Sequence, residues 1–428
     1  MKRKLIFIAT LLCVTLFAPL SLFSQSQDFE MNGTVLVKYN GNAVDVIIPE
    51  GVTAIGDSAF ILRMIRSVTI PSSVTTIGEW AFEGCENLRS VTIPSNVTSI
   101  GKSAFGDCRL LASITVDSQN PVYSSSVDRV LFNKNRNILV AYPAGKLGST
   151  YTIPSSVTFI GERAFAGCEK LTSVIIPSSV TSIGDGAFVR CRNLDSVTIP
   201  SSITSIGDGT FGGCENLTNI TIPSSVTSIG GEAFLDCTSL TNITIPSSVT
   251  SIGSRAFYNT AWLNNQPDGL VYAGKVLYSY KGTMLANTVI NNIRNDTVAI
   301  AGGAFASSRL ASITIPSSVT SIGNSAFYEC RSLTSIIIPS SVTSIGEGAF
   351  DWCESLTSIT IPSSVTSIGS RAFAYCYSLT SVTIPSSVTS IGNYAFVYCT
   401  RLTSITISRR TTIGEGAFPA RARITYSD

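Results

Sequence analysis

The chain lacks histidine altogether, and only 13% of its 428 residues are charged. Catalytic systems that rely on an imidazole base, such as Ser-His-Asp and Cys-His arrangements, are therefore excluded. A zinc site would have to rely on closely spaced cysteines, yet no C-x₂-C pair is present. We therefore predict that the protein is not an enzyme and that it holds no cofactor or metal.

An excess of positive charge is also missing. Without Lys2, Arg3 and Lys4 the chain has 26 basic residues against 27 acidic ones, a net charge of −1. Such a balance gives no overall electrostatic attraction for nucleic acid or for an anionic membrane surface. The sequence accordingly predicts no nucleic-acid partner.

Long apolar runs are scarce, and the one clear case lies at the start of the chain. Basic residues at 2–4, an apolar run over 5–17 and small or polar residues after it predict a signal peptide over residues 1–26. No later stretch has about 18 consecutive apolar residues, so no transmembrane span is predicted. We expect an exported protein that is secreted or held at the cell surface.

The sequence is dominated by a repeat instead. The nonapeptide IPSSVTSIG occurs seven times, beginning at residues 176, 222, 245, 315, 338, 361 and 384. A ladder of fourteen phenylalanines follows the same spacing with small slips, at positions 60, 82, 105, 165, 188, 211, 234, 257, 305, 327, 350, 373, 396 and 418. A fixed period of about 23 residues is typical of a solenoid whose stacked rungs share one core.

One rung shows how the chain folds. Leu379, Val382 and Ile384 give the pattern L-x-x-V-x-I, in which the last two alternate as an inward-facing strand requires. Pro385 ends this strand because it cannot donate a backbone hydrogen bond. We expect Gly392 to provide a bend with positive φ, and the following AFVYC to close the rung as a helical or 3₁₀ turn.

These residues carry a resemblance. The pattern IPSSVTSIG-x-x-AF-x-x-C, over roughly residues 44–418, resembles the BspA-type (treponemal) leucine-rich repeat of bacterial surface proteins. The resemblance implies a leucine-rich-repeat solenoid, a right-handed coil with a long parallel β-sheet and with short strands or 3₁₀ or helical turns on the other side. It departs from the general repeat at the ninth position, where only Asn96 keeps the usual asparagine and the regular rungs have serine.

The resemblance also implies a function. It points to a non-catalytic surface protein that adheres to host matrix or plasma proteins, or to neighbouring cells. The residues themselves indicate only an extended protein-binding scaffold. A structural surface or biofilm component without a discrete ligand is the alternative.

Two segments interrupt the period and divide the chain. We predict an N-terminal hairpin cap over 27–48 with its turn at Asn40-Gly41, and two hairpin-like insertions that project from the solenoid at 117–152 and 261–300. The repeats then form three blocks, over 49–116, 153–260 and 301–428, the last with a C-terminal cap. Both insertions are rich in tyrosine and turn residues.

Ten cysteines lie beyond the signal peptide, at 85, 108, 168, 191, 214, 237, 330, 353, 376 and 399. An even number in an exported chain suggests disulfides. The competing interpretation is a ladder of buried thiols, because every cysteine has the same place in its rung, three residues after the phenylalanine. We favour the thiol ladder, since a small buried hydrophobe suits that place and parallel side chains on separate rungs would struggle to approach as closely as a disulfide requires.

A uniform repeat face discriminates poorly between partners, so the irregular parts are the better binding candidates. These are the variable charges around AF-x-x-C, such as Glu169 and Arg192, and the two insertions. Tyrosines and lysines of the insertions form the predicted contact set, because aromatic and cationic side chains dominate binding hot spots: Tyr123, Tyr142, Lys146, Tyr272, Tyr278, Tyr280 and Lys281. Tyr272, Tyr278 and Tyr280 are separated by even numbers of residues, so they are predicted to lie on one face of the hairpin. The alternative is that these aromatics fill the gap left by a lost rung.

Overall fold

A computed structural model describes residues 28–427, and the predicted signal peptide lies outside them. Each rung contains two short strands and a turn. Ser381–Thr383 is the first strand of one rung, Ser390–Ile391 is the second, and Phe396 lies in the turn that follows. Successive rungs pair in parallel, nearly always without a shift of register, as where Ser358–Thr360 pairs with Ser381–Thr383. The protein is therefore a parallel β-solenoid, as the sequence predicts.

The first strands of the rungs form what we call the S-x-T column, after their commonest sequence. Its central residue points inward and is buried in nearly every rung, whereas the flanking serine and threonine face outward. The column comprises Asp45–Ile47, Ser67–Thr69, Ser90–Ile93, Ser113–Val116, Thr150–Thr152, Ser173–Ile175, Ser196–Thr198, Asn219–Thr221, Asn242–Thr244, Thr288–Ile290, Leu310–Ile313, Ser358–Thr360, Ser381–Thr383, Ser404–Ser408 and Arg423–Ser427.

The second strands form the S-I column, which the sequence analysis did not distinguish as a sheet of its own. Each has two residues, and its isoleucine is buried in nearly every rung. The column comprises Ala54–Ile55, Thr76–Ile77, Ser99–Ile100, Phe159–Ile160, Ser182–Ile183, Ser205–Ile206, Ser228–Ile229, Ser251–Ile252, Ala299–Ile300, Ser321–Ile322, Ser344–Ile345, Ser367–Ile368, Ser390–Ile391 and Thr412–Ile413. The solenoid thus has two columns of strands and one side of turns.

The glycine that follows nearly every S-I strand has a different role from the predicted one. Gly392 has no positive φ. A Cβ atom there would lie 2.6 Å from Ser370 Cα, and at Gly369 it would lie 2.6 Å from Glu347 N. The prediction of a left-handed bend was wrong, because glycine is required here by the close approach of the preceding rung's backbone.

Left-handed residues do occur, two residues before and two residues after nearly every ladder phenylalanine. In one rung they are Arg371 and Tyr375, with φ of 56° at both. Their N–H groups donate to the next rung, at 2.9 Å to Asn393 O and 2.9 Å to Val397 O. This alternation of conformations makes the turn side a series of tight bends closed by bonds between residues three apart, such as Ala374 N to Arg371 O at 3.0 Å. Ala261–Asn264 is the only α-helix among residues 28–427.

The phenylalanines stack along the solenoid. The eleven consecutive pairs have ring centroids 4.9–5.6 Å apart and interplanar angles of at most 15°. Phe234, in the middle of the second block, is fully buried. The ladder is therefore a continuous core element in each block.

All ten cysteines in the described part are free thiols and buried. Nine of them donate Sγ–H to the carbonyl oxygen of the phenylalanine in the preceding rung, at 3.0–3.2 Å. Burial raises the pKa of Cys85 to about 12 and that of Cys330 to about 11. The ladder interpretation is the one that matches this arrangement, and such thiols are poor nucleophiles.

Serine at the ninth position also bonds to a backbone carbonyl of the preceding rung, although Asn96 bonds to a different one, Ser72 O. The Ser225 hydroxyl donates to Ile203 O at 2.6 Å, and the Ser248 hydroxyl donates to Val226 O at 2.7 Å. The same bond recurs in most rungs, so a buried carbonyl of each rung is satisfied by the next. The departure from the general repeat therefore leaves no backbone group unpaired at this place.

The first of three hairpins lies at the N-terminal end. Phe29–Asn32 pairs antiparallel with Val35–Tyr39. Its turn contains Gly33, whose φ is 60°, so the predicted turn at Asn40-Gly41 was wrong. A left-handed glycine is the usual residue of such a tight turn. The Tyr39 ring stacks on Phe60 with centroids 5.2 Å apart and so covers the end of the ladder.

The two insertions are also hairpins. The first contains Tyr123–Ser125, Leu131–Asn133 and Ile138–Ala141, and the second contains Gly269–Ala273 and Val276–Lys281. Their last strands pair in parallel with the next S-I strand, Ile138 with Phe159 and Val276 with Ala299. The expectation that they simply project was wrong, because each contributes a strand to the S-I column.

Buried apolar side chains form three clusters, which meet at the insertions. One spans Phe29 to Ala141, the next Val130 to Ala301, and the last Leu277 to Ala417. The exact block boundaries remain a prediction. Within residues 28–427 no helix has the length and apolar character needed to cross a membrane.

Replacing Phe234 by alanine tests the ladder. Because the cavity would lie between two stacked rings, we expect the free energy of unfolding to fall by about 3–5 kcal/mol, measured by denaturant melts. Thr221→Ala, on the exposed outer side of a nearby strand, is the control and should change it by less than about 0.5 kcal/mol. A loss under about 1 kcal/mol for Phe234→Ala would contradict a core position.

A thiol count tests the cysteine ladder. In protein lacking residues 1–26, the folded chain should react hardly at all with an alkylating reagent, because burial hides the thiols and raises their pKa. Unfolding without reductant should expose ten reactive thiols, counted by mass spectrometry. Recovery of disulfide-linked peptides from adjacent rungs would overturn the ladder.

Candidate binding surfaces

Tyr142 of the first insertion occupies a core position. It is 4% exposed, and its ring stacks on Phe165 with centroids 5.1 Å apart. Its N–H donates to Ala164 O at 2.7 Å, as the N–H of most ladder phenylalanines does to a backbone carbonyl of the next rung. Tyr142 therefore takes the place of a ladder phenylalanine, and this burial contradicts its predicted place on an accessible contact surface.

Tyr278 of the second insertion is buried in a similar way. It is 4% exposed, and its ring meets Phe257 edge-on with centroids 5.3 Å apart. Its hydroxyl accepts a hydrogen bond from Phe257 N at 2.9 Å, and burial raises the pKa of Tyr278 to about 12. Tyr278 thus closes the ladder of the second block, so it does not belong to an exposed tyrosine face.

The other predicted residues of the first insertion do not gather at one place. Tyr123 is 9% exposed, and its hydroxyl accepts the N–H of Ile100, the last residue of an S-I strand, at 2.9 Å. Lys146 follows the last hairpin strand, with Nζ 3.9 Å from Asp128 Oδ1. Tyr123 therefore helps to hold together the junction between two blocks.

Tyr272, Tyr280 and Lys281 of the second insertion are half-buried. The Tyr272 ring lies 4.8 Å from the Arg294 guanidinium, and both it and Tyr280 pack against the core of the third block. The Lys281 ammonium donates to Asn264 O at 2.7 Å and also to Gln266 O. These three keep some accessible surface, but Tyr278 is buried, so the three tyrosines do not form one exposed face.

Variable charges beside the cysteines pair with one another across rungs. The residues just after successive cysteines alternate in sign, and neighbours lie 3.1–3.5 Å apart. This Cys+1 column runs through Glu86, Arg109, Glu169, Arg192 and Glu215. The sequence analysis assigned these charges to partner recognition, but the structure uses them first for contacts within the solenoid.

A surface that the sequence analysis missed lies on the turn side of the third block. Trp352 and Tyr375 stack with centroids 4.2 Å apart, and Tyr375 stacks on Tyr398 at 4.8 Å. Tyr377 meets Trp352 edge-on at 6.1 Å. We call these four residues the aromatic strip. Tyr398 is 53% exposed and the others are half-buried, so their edges face solvent.

Three residues of the aromatic strip have a backbone conformation that bulky side chains rarely adopt. The φ angles of Trp352, Tyr375 and Tyr398 are 62°, 56° and 59°. They are the second residues after successive phenylalanines, where the second block has Gly213 and Asp236 among others. Glycine, asparagine and aspartate suit this conformation far better. The fold itself therefore does not require aromatic residues at this position.

Two arginines flank the strip. The Arg331 guanidinium lies 5.4 Å from the Trp352 ring, and that of Arg371 lies 5.6 Å from the Tyr375 ring. Arg371 also donates to Asp351 Oδ2 at 3.0 and 3.1 Å. Burial raises the pKa of Asp351, and the bonds from Arg371 partly offset this. The site therefore combines aromatic edges with fixed cations. A search for aromatics that recur once in each rung would have found it.

Two open clefts lie where an insertion meets the S-I column. One of about 680 Å³ contains Ile100, Lys102, Lys134 and Phe159 in its walls, and one of about 630 Å³ is lined mainly by serine and glycine. In the described part of the chain no three histidine, cysteine or carboxylate groups are placed to hold a metal ion. Neither cleft presents a recognisable nucleophile and base.

Comparison with known families and structures gives a consistent result. The model of the BspA type leucine rich repeat region matches in six copies, over residues 38–138, 145–264 and 298–425. No curated protein matches the sequence.

Solved structures of three bacterial proteins are similar to the chain. A leucine-rich repeat protein from Bacteroides ovatus is 26% identical, with 93% of this chain and 97% of that one covered and a TM-score of 0.34. A leucine rich cell surface protein from Faecalibacterium prausnitzii is 33% identical, with 89% and 92% covered and a TM-score of 0.35. A leucine-rich repeat protein from Eubacterium ventriosum is 26% identical, with 73% and 77% covered and a TM-score of 0.43.

Serine substitutions in the second insertion separate core tyrosines from surface ones. We expect Tyr278→Ser to lower the melting temperature by several degrees, because it opens a cavity against Phe257 and leaves its N–H unpaired. Tyr280→Ser, on the same strand, should lower it much less. Equal melting temperatures for the two variants, measured by circular dichroism, would contradict the burial of Tyr278.

Proposed function

This chain belongs to the BspA-type leucine-rich repeat family, and from that premise we propose that it is an exported cell-surface protein that binds other macromolecules and catalyses no reaction. The partners we propose are proteins of the host extracellular matrix or plasma, or proteins on neighbouring cells. The signal-like residues 1–26 support export. The complete lack of histidine supports a non-catalytic role.

The aromatic strip is the observation that carries this proposal. Tryptophan, tyrosine and arginine are the residues that most often dominate protein-binding hot spots. Here they lie side by side, with ring edges and the Arg331 and Arg371 cations at the surface. Strips of this composition bury a large amphipathic area at a low cost in side-chain entropy, because stacking already holds the rings in place.

The backbone strain strengthens the argument. A non-glycine residue in the left-handed region costs on the order of 1 kcal/mol. Trp352, Tyr375 and Tyr398 all bear this cost, although ring stacking returns about 0.5–1.5 kcal/mol for each pair. Since Gly213 and Asp236 fill the same position in the second block, the aromatic residues fit a role beyond folding.

The second insertion supports a further contact. Tyr272, Tyr280 and Lys281 keep part of their surface accessible, and Tyr123 and Lys146 border the first junction. We keep Tyr272, Tyr280, Lys281 and Lys146 as secondary contact candidates, and we leave out Tyr123, Tyr142 and Tyr278 because they are buried. The alternative of a structural surface component without a discrete ligand predicts no saturable binding at all.

Surface plasmon resonance with collagen, laminin, fibronectin and fibrinogen tests the proposal. We expect saturable binding to at least one of them. The triple variant Trp352→Asn/Tyr375→Asn/Tyr398→Asn should weaken that binding at least about tenfold, as loss of hot-spot residues does. Its melting temperature should stay close to that of the unmodified protein. Asparagine relieves the backbone strain, and this gain offsets the loss of ring stacking.

Matched changes in the second block provide the control. Asp236→Asn/Asn259→Gly alters the same position of two rungs and should leave binding unchanged. Full binding by the folded triple variant would show that the partner does not bind at the aromatic strip. The Tyr280→Ser variant would then test the insertion. No saturable binding to any of the probes would favour the structural alternative.

A further inference from the structure

The last two rungs carry a concentration of positive charge that the balanced composition hides. Residues 401–428 contain five arginines, one glutamate and one aspartate, a net charge of +3. The arginines are Arg401, Arg409, Arg410, Arg421 and Arg423, and all five are exposed. We call them the arginine band. A local excess of this size is a separate electrostatic feature, although the chain as a whole is nearly neutral.

Most of these cations have no acidic partner. Within residues 28–427 Arg401, Arg410, Arg421 and Arg423 form no ion pair with a carboxylate. Elsewhere Arg163 alone reaches both Glu83 and Asp107. In most of the solenoid, arginines thus neutralise carboxylates of neighbouring rungs, whereas the charge of Arg401, Arg410, Arg421 and Arg423 remains available.

The band lies along the two final strands of the S-x-T column. Ser404–Ser408 pairs in parallel with Arg423–Ser427, so that Arg423 lies beside Ser404 and takes the outward place of a serine. Arg401 and Arg421 precede these strands, and Arg409 and Arg410 follow the first of them. The cations therefore flank both ends of a strand pair about 17 Å long.

Hydroxyl groups fill the surface between the two ends. Ser404, Thr406 and Thr425 are exposed on these strands. Each hydroxyl is able both to donate and to accept a hydrogen bond. An extended ligand lying along the strands would meet guanidinium groups at its ends and a row of hydroxyls in its middle.

We propose that the arginine band binds an acidic polysaccharide, one that carries carboxylate or sulfate groups. The planar guanidinium fork matches both groups in a bidentate manner, and the hydroxyl row matches sugar hydroxyls. This site contains no residue of the aromatic strip and does not depend on the proposed protein partner.

The aromatic content of the band disfavours single-stranded nucleic acid. Proteins that bind such strands stack bases on open aromatic faces. Tyr426 is the one aromatic residue of the final strand, and the Arg409 guanidinium lies 5.9 Å from its ring centre. A base would have to compete with this cation for the ring. The carboxylate or sulfate groups of an acidic saccharide would bind the guanidinium groups and would not need the ring.

Affinity measurements with heparin and polygalacturonate as probes test the proposal. In about 0.1 M NaCl, where charges are screened over about 10 Å, we expect saturable binding of at least one probe, weakening as salt rises. Arg421→Glu/Arg423→Glu should raise the Kd at least about tenfold, since each reversal replaces a charge-assisted contact by repulsion. Unchanged circular dichroism would show that the variant is folded.

The control variant Lys38→Glu/Arg89→Glu changes the net charge by the same amount at two other exposed positions. It should bind as the unmodified protein does. An equal loss of affinity in the control would show that only the net charge matters, and this would overturn the site. Absence of binding to both probes would also overturn it. Tighter binding of a single-stranded oligonucleotide than of either polysaccharide would overturn the ligand class.

Discussion

Every rung must lie directly on the one before it, and at the glycine that follows most S-I strands the backbones of the two rungs approach closely. There a single methyl group would touch the backbone of the preceding rung. This tight approach fixes the distance between rungs. The stacked phenylalanine rings, the thiol bonds to phenylalanine carbonyls and the serine bonds to the carbonyls of the preceding rung all form at that spacing. A rung without its glycine would lose several of these contacts together.

The periodic part of the fold could be predicted from the sequence because identical rungs have identical surroundings. Phe234 and Cys237 are buried in their rung for the same reason as their counterparts elsewhere, so the pattern alone indicated their places. The role of Gly392 escaped prediction, since a positive φ and a close contact demand the same residue. Only coordinates distinguish the two reasons.

The insertions were harder to predict because no repeat constrains them. Tyr142 and Tyr278 look like surface aromatics in a polar, turn-rich segment, yet each fills a place in the phenylalanine ladder where a rung is incomplete. The aromatic strip was overlooked for the opposite reason. Trp352 and Tyr375 are periodic, but they stand among positions that vary freely from rung to rung. The uniform repeat thus provides the stiffness of the molecule, and its departures from uniformity, including the arginine band, provide the chemistry that differs along its length.

Near-identity among rungs creates a hazard of misalignment during folding, and the Cys+1 column opposes it. A chain that looped out one rung would restore almost every apolar contact, because the next rung carries nearly the same nonapeptide. It would, however, place Glu86 against Glu169 or Arg109 against Arg192. Each like-charge pair costs only a fraction of a kcal/mol at the surface, but the apolar contacts offer no competing preference. Alternating charge therefore gives the rungs from Glu86 to Glu215 an order that their apolar contacts do not specify.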